Sequence, residues 1–483
     1  MAIKNMPQWV LKHKEKGKTI KEKNGKYYLY EHKCVYDKNR PNKNYVKDTY
    51  IGRITEDNGL ILAGHFSNAK AENLYSKEYG SYALFTKLGD SILERLKKYF
   101  GDKNALLIFV IACLRVKDHT QYCELEDEFQ DNYFSASNKN LNMSKSYLSD
   151  FLEDLSHYKD NMTNFMREDI TEDDIIIFDG TNLLCGSNNV SYVGYGYKHG
   201  HNYNSQVNEL YAFSAKNRKA VYYKLLEGSV SDKATLQDVL LESKISNAIA
   251  LIDNGFESDN NINSLLTNKN KYIMALKRSS SLVPEEILKD FSREEAREYF
   301  VNNHETIYAY EIKDENGDRI CIYFNKSIES IESSEYIEKM SKGVKGYTKE
   351  NIKKAQERFG IFNIKTNIED FSLQKIYEYY KSRFEIEYMF DTVKNTLGYD
   401  KTFMHSDKSI ESWAFINHIS IIMTQKIYDY MNEKGVNISL HQLFKKLKLV
   451  KKIKSNLDTN DNYEFQGIPK KVRDLLAKLE ITD

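Results

Sequence analysis

Two short apolar runs each end in an aspartate with a glycine close behind. "IIIFDG" carries Asp179 and "ALIDNG" carries Asp253. Runs this apolar, bounded by turn residues, read as strands covered on both faces. In open α/β sheets, ligands gather beyond strand ends. If the two strands are neighbours, two carboxylates point into one cleft. Such hard oxygen donors favour Mg2+ or Mn2+, with phosphate supplying further oxygens. Taken singly, each Asp–Gly pair is also ordinary turn chemistry.

A third acid stands in "YYKSRFEIEYMFDTVK", residues 379–394. At about 100° per residue, Tyr380, Arg383, Glu387 and Lys394 fall in a stripe about 60° wide, while Glu385 lies about 140° from Tyr380. The two glutamates therefore cannot share a role. Ile386, Phe390, Val393 and Leu397 form a separate apolar stripe that would anchor the helix to a sheet. Glu387 sits at the edge of that packed face, where it could lean over strand ends. Tyr380, Arg383 and Lys394 flank it with groups suited to phosphate. An amphipathic helix with a solvated charged face has the same pattern.

The elements that must position these residues follow from periodicity. Residues 19–63 alternate apolar and polar, as in "GKYYLYEHKCVYD" and "NYVKDTYIGRIT", and read as strands. Residues 80–170 have helical spacing, with Ser144 an expected N-cap. From 171 the expected order is strand, hairpin ("NELYAFSAKNRKAVYYKLLEG"), helix, strand, helix, strand. Residues 282–358 interrupt this with polar helices and a hairpin turning at Glu315–Gly317. Strand character returns in "FGIFNIKTN", and the helix 373–397 follows.

Composition narrows the class. The chain has 483 residues, 29% charged and 41% hydrophobic, a globular profile with room for several domains. Its net charge is zero, but residues 1–50 hold thirteen Lys or Arg against five acids, and "HQLFKKLKLVKKIK" has six Lys and no acid. Basic ends around an acidic middle suit a protein that grips a polyanion and holds metal centrally. Solvated lysine faces give the same count. Five scattered Cys without a CxxC pair suggest neither a disulfide framework nor a zinc site, as fits a reducing cytosol. No signal peptide is visible. The runs "ALLIFVIACL" and "WAFINHISIIM" are far short of the ~20 residues that span a bilayer and read as buried helices.

The stretch 379–394 matches Y-x2-R-x3-E-x6-K through Tyr380, Arg383, Glu387 and Lys394. It resembles the YREK signature of bacterial insertion-sequence DDE transposases of the insertion-sequence-four-like group. Asp179 in "FDGTN" and Asp253 in "DNGF" look like that family's first and second aspartates. Asn254 stands where the family often has Arg. "GSVSDKATL", "IKTNIEDFSLQKIYEYY" and, more weakly, "KNYVKDTYIGRI" extend the likeness over most of the chain. The 134 residues from Asp253 to Glu387 exceed the roughly 30–50 that a bare core needs, as if an insertion lay there.

The resemblance implies an α/β fold with a ribonuclease-H-like catalytic core and a β-containing insertion. The expected segments are a basic β-rich module (1–65), a helical DNA-binding domain (66–170), the first part of the core (171–281), the insertion (282–358), the second part of the core with the YREK helix (359–430) and a C-terminal helical segment (431–483). Asp179, Asp253 and Glu387 would be catalytic and would hold two Mg2+ ions per site, with Mn2+ able to substitute. Tyr380, Arg383 and Lys394 would contact DNA. The implied activity is cut-and-paste transposition: cleavage at transposon ends and strand transfer into target DNA. The partners would be double-stranded terminal repeats, target DNA and a second copy of the chain in a synaptic homodimer, in the cytoplasm and away from membranes. A catalytically silent, domesticated transposase that binds DNA and a nuclease without strand transfer are the alternatives. A haloacid-dehalogenase phosphatase fails because Ile177 replaces the Asp its motif needs. His199 and His201, an HxH pair whose spacing would also suit a metal, read as a polar loop near DNA, Asp232 as a helix cap or an aid to the site, and Trp413 as core.

Overall fold

The computed structural model describes residues 6–36, 38, 44–57, 59–63, 74–118, 120–198, 202–230, 235–284, 287–288, 296–398, 400–455 and 463–481. Within these, side chains are not described for residues 74, 118, 197, 198, 202, 203, 385–394, 396 and 455. The chain divides into two compact units, Met1–Tyr75 with Ile453–Glu464, and Ser76–Lys452 with Phe465–Asp483.

The smaller unit contains a helical turn, Gln8–Leu11, and four strands: β1 (Lys18–Lys23), β2 (Lys26–Tyr36), β3 (Asn44–Thr55) and β4 (Gly59–Leu62). They pair antiparallel in chain order. The alternation that marked residues 19–63 as strands buries Leu29, Ile51 and Ile54 beside Val10. Trp9 meets Tyr27 edge-on at 5.5 Å between ring centroids. At Gly52 the backbone of β4 passes so close that a Cβ would stand 2.2 Å from the carbonyl oxygen of Ile61, so only glycine fits.

β5 (Leu74–Glu78) runs across the boundary between the units, and the long helix Gly80–Asp118 of the larger unit follows, kinking at Gly101 (φ 71°, ψ 164°). Helices Lys145–Leu155 and Lys159–Arg167 follow. Ser144 stands at the N-cap position as expected, although its side chain makes no capping hydrogen bond. One mixed sheet organises the rest. Its strands are β6 (Ile175–Cys185), β7 (Gly194–Lys198), β8 (Asn202–Ser214), β9 (Lys219–Glu227), β10 (Ile249–Ile252), β11 (Lys271–Leu276), β12 (Glu298–Asn302), β13 (Glu305–Lys313), β14 (Arg319–Asn325), β15 (Ile361–Thr366) and β16 (Lys401–Thr402). The order is β12-β13-β14-β15-β11-β10-β6-β8-β7, with β9 on β8 and β16 on β6. β6, β10 and β11 run parallel, and β8 and β15 run antiparallel to their neighbours there.

Helices cover both faces. Successive residues of a strand point to opposite sides. Tyr222 reaches Glu242 on the helix Leu236–Ser243, while the adjacent Tyr223 packs on His418 of the helix Asp407–Glu433. That second helix is buried along nearly all its length, Trp413 to Met423 included. Among the described residues no helix is long and apolar enough to cross a membrane.

The hairpin β13–β14 turns at 314–318, and it extends the main sheet through β15. Residues 431–483 hold the helices Leu440–Leu447 and Lys470–Lys478, but also β17 (Lys451–Ser455) and β18 (Glu464–Phe465), where only helix was expected. The lysine-rich run breaks at Val450, whose carbonyl accepts from Tyr79 and Gly80.

Candidate active site

β6 and β10 are parallel neighbours, with Ile175, Ile176 and Ile177 opposite Ile249, Ala250 and Leu251. Carrying that register two residues further sets Asp179 level with Asp253. Adjacent strands lie roughly 4.8 Å apart, and residues level on neighbours share a face. By that register the two aspartates would share the face of Ile177 and Leu251. β10 stops at Ile252, whereas β6 continues to Cys185 and takes β16 as its next partner. The sheet thus opens a notch at the level of the two acids. Across β6, Asp179 stands opposite Tyr211 of β8.

Asp253 continues the extended backbone (φ −80°, ψ 165°) and caps the turn Asn254–Phe256, its Oδ1 accepting from the Asn254 N–H at 2.7 Å. Its Oδ2 lies 3.3 Å from Nη2 of Arg383. Arg383 also donates through Nη1 to the Tyr380 hydroxyl at 2.9 Å. Both residues belong to the helix Leu373–Leu397. Of the stripe drawn from sequence spacing, Arg383 therefore reaches the end of β10, with Tyr380 behind it. Tyr380 is 3% exposed and packs on Phe362 of β15 at 4.9 Å, so its ring lies under the helix rather than open to a ligand. Arg383 is 8% exposed.

Glu387 is one helical turn beyond Arg383, about 40° round the axis. The side chains of Glu387 and Lys394 lie outside the described residues, as do His199, His201 and Asp232. Among the described residues no three His, Cys, Asp or Glu gather closely enough to hold a metal. Trp413 is buried core, as expected.

The start of the helix is held by residues that read from sequence only as parts of a hairpin. Arg319 of β14 donates to the carbonyls of Ile368 and Phe371 at 2.8 and 2.7 Å, and the Tyr323 hydroxyl donates to Leu373 O at 2.9 Å. Arg319 is also paired with Glu311 at 2.8 Å. An Arg and a Tyr alternating along a strand give no sign of the loop they serve some fifty residues later.

Asp179, within β6, and Asp253, just past the end of β10, are thus level on neighbouring parallel strands, and Arg383 of the helix Leu373–Leu397 reaches the second of them. Residues 170–423, more than half of the chain, match a family model described as a transposase DDE domain. The chain belongs to this DDE transposase family. No curated protein matches it. Among solved structures it is similar to a piggyBac transposase synaptic complex with hairpin DNA, at TM-score 0.38 and 13% identity, over 77% of this chain and 80% of that one.

Proposed function

We propose that the protein is a transposase of the insertion-sequence-four-like group that cuts DNA at transposon ends and joins those ends to target DNA. The observation that carries this reading is the shared level of Asp179 and Asp253, with Arg383 of the YREK helix on the second carboxylate. The mixed run β9-β8-β6-β10-β11, covered by helices on both faces, supports a ribonuclease-H-like core.

The donor set fits a divalent cation. Both side chains are oxygen ligands, and the Asp253 carboxylate already accepts a cationic group at 3.3 Å. Asp179, Asp253 and Glu387 would hold two Mg2+ ions, with Mn2+ as a substitute. When bound, such a pair activates a water or a DNA 3′-OH and neutralises the leaving oxygen. The chain's own groups prepare the site. The Asn254 N–H fixes the orientation of the Asp253 carboxylate. The Tyr380 hydroxyl holds the Arg383 guanidinium. That planar fork suits a DNA phosphate as well as a carboxylate. Tyr380 then serves DNA through Arg383 rather than by its own contact. Lys394 lies on the same stripe and would meet a phosphate farther along. Synapsis of two ends calls for a homodimer on double-stranded DNA.

The test is to incubate the full chain with Mg2+ and DNA carrying the ends that bracket its gene. Glu387→Gln is expected to bind these ends and release no 3′-OH. Cleavage by that variant would remove Glu387 from the site. Cutting by the intact chain without joining would mark a nuclease.

A further inference from the structure

The helix Leu373–Leu397 ends in a buried place. The last four carbonyls of any α-helix have no partner within it, and buried ones must find partners elsewhere. Here the carbonyl of Leu397 accepts from Nη2 of Arg115 at 3.1 Å. Arg115 lies on the Gly80–Asp118 helix and is 4% exposed. Its Nε donates to Asn417 Oδ1 at 2.7 Å and its Nη1 to Thr120 O at 2.8 Å, and its guanidinium lies 4.7 Å from the Trp413 ring centre. One planar cation thus joins the end of the Glu387 helix to two others. A positive charge at a helix C-terminus is also favourable to the dipole.

The chain leaving that end is tied to β6, the strand that carries Asp179. The Leu184 N–H donates to Asp400 O at 3.0 Å, and Lys401 and Thr402 pair with Leu184 and Cys185. The exit of the helix is therefore pinned on one side by β6 and on the other by Arg115. Glu387 stands ten residues before Leu397, about 15 Å along the axis. A slip or roll of the helix end would carry Glu387 with it, relative to Asp179 and Asp253.

We propose that Arg115 is a positioning residue: by fixing the end of the Leu373–Leu397 helix it sets where Glu387 stands relative to Asp179 and Asp253. This rests on the assignment of Glu387 to the catalytic set. Lysine keeps the charge at position 115 but has no fork that reaches three acceptors in one plane.

The experiment compares the full-length intact chain, Arg115→Lys and Glu387→Gln. The readouts are thermal unfolding, end-DNA binding, Mn2+ binding by electron paramagnetic resonance, and cleavage. Arg115→Lys is expected to fold and to bind ends, yet to need about tenfold more Mn2+ for half-saturation and to cut about 10–100-fold more slowly. Unchanged Mn2+ binding overturns the proposal, as does a loss of cleavage that only tracks the loss of folded protein. If Arg115→Lys does not fold, Asn417→Ala removes the acceptor of the Arg115 Nε hydrogen bond and is judged by the same readouts. Cleavage by Glu387→Gln overturns the underlying assignment. A dead Glu387→Gln beside an unaffected Arg115→Lys overturns the positioning role alone.

Discussion

His418 lies fully buried in the helix Asp407–Glu433, between Tyr211 and Tyr223, with ring centroids at 6.4 and 5.4 Å. Neither ring nitrogen has a hydrogen-bond partner among the described residues. Burial pushes its pKa down from 6.5 to about 3, with Arg95 and Lys219 adding to the shift and Asp169 opposing it. Between those values the unfolded chain takes up a proton that the folded chain refuses. Stability is then complete above pH 6.5 and falls as pH drops towards 3. At pH 5 the loss from this one group is about 2 kcal/mol. Denaturant melts of the intact chain and of His418→Phe, at pH 5 and pH 8, check this. The variant should lose that part of the pH dependence, and an unchanged difference between the two pH values would remove His418 as its source. From sequence, position 418 is one of three polar residues inside "WAFINHISIIM", with no sign of the tyrosines it meets. Asp179 and Asp253 stood out because an apolar run followed by Asp with Gly close behind is a local pattern, although β6 does not end at Asp179 as expected but runs on to Cys185. Arg115 was not, because its partner Leu397 is 282 residues away.

Lys365 of β15 shows how the β13–β14 turn is tied to the main sheet. Its Nζ lies 2.6 Å from Asp314 and 3.3 Å from Asp318, both in the β13–β14 turn, and all three side chains are largely buried. Tyr272 of β11 donates to Asp318 at 2.7 Å. Asp314 also accepts from the N–H groups of Asn316 and Asp318, each at 2.9 Å, which shapes the turn. Lys365→Met removes the cation and strands two carboxylates. It should cost about 3–5 kcal/mol, measured by urea or guanidinium unfolding. A cost near zero would show that water solvates the turn. The hairpins themselves were readable, because alternating runs meet at "KNRK" and "DENGD". β7, β12 and β16 were not. β16 is two residues long, β7 contains two glycines, and β12 has no clear alternation, so each exists only through the strand beside it. β17 hid within a basic run that also suits a helix.

At the scale of the whole molecule, charge is zero in sum and uneven in place. The strand order of the sheet could not be read ahead, because the pairings of β15 with β11 and of β16 with β6 join segments some ninety and two hundred residues apart. The same distinction between local count and folded position applies to the C-terminal lysines. Six of them look equivalent in "HQLFKKLKLVKKIK". In the fold, Lys452 lies over the rings of Tyr79 and Phe465, at 3.9 and 4.5 Å, and so is spent on packing. Lys445 and Lys446 stand in the last turn of the helix Leu440–Leu447, Lys445 exposed and Lys446 half-buried. If these two grip DNA, each phosphate they neutralise releases a counterion, worth about 0.9 in the slope of log K against log salt. End binding measured across a salt series should therefore be weaker for Lys445→Gln/Lys446→Gln, with a slope shallower by about two. Lys452→Gln should leave the slope unchanged and lower the unfolding midpoint instead, because its loss removes a cation held by aromatic faces. A slope that responds to Lys452 and ignores Lys445 and Lys446 would place the DNA on another face of this segment.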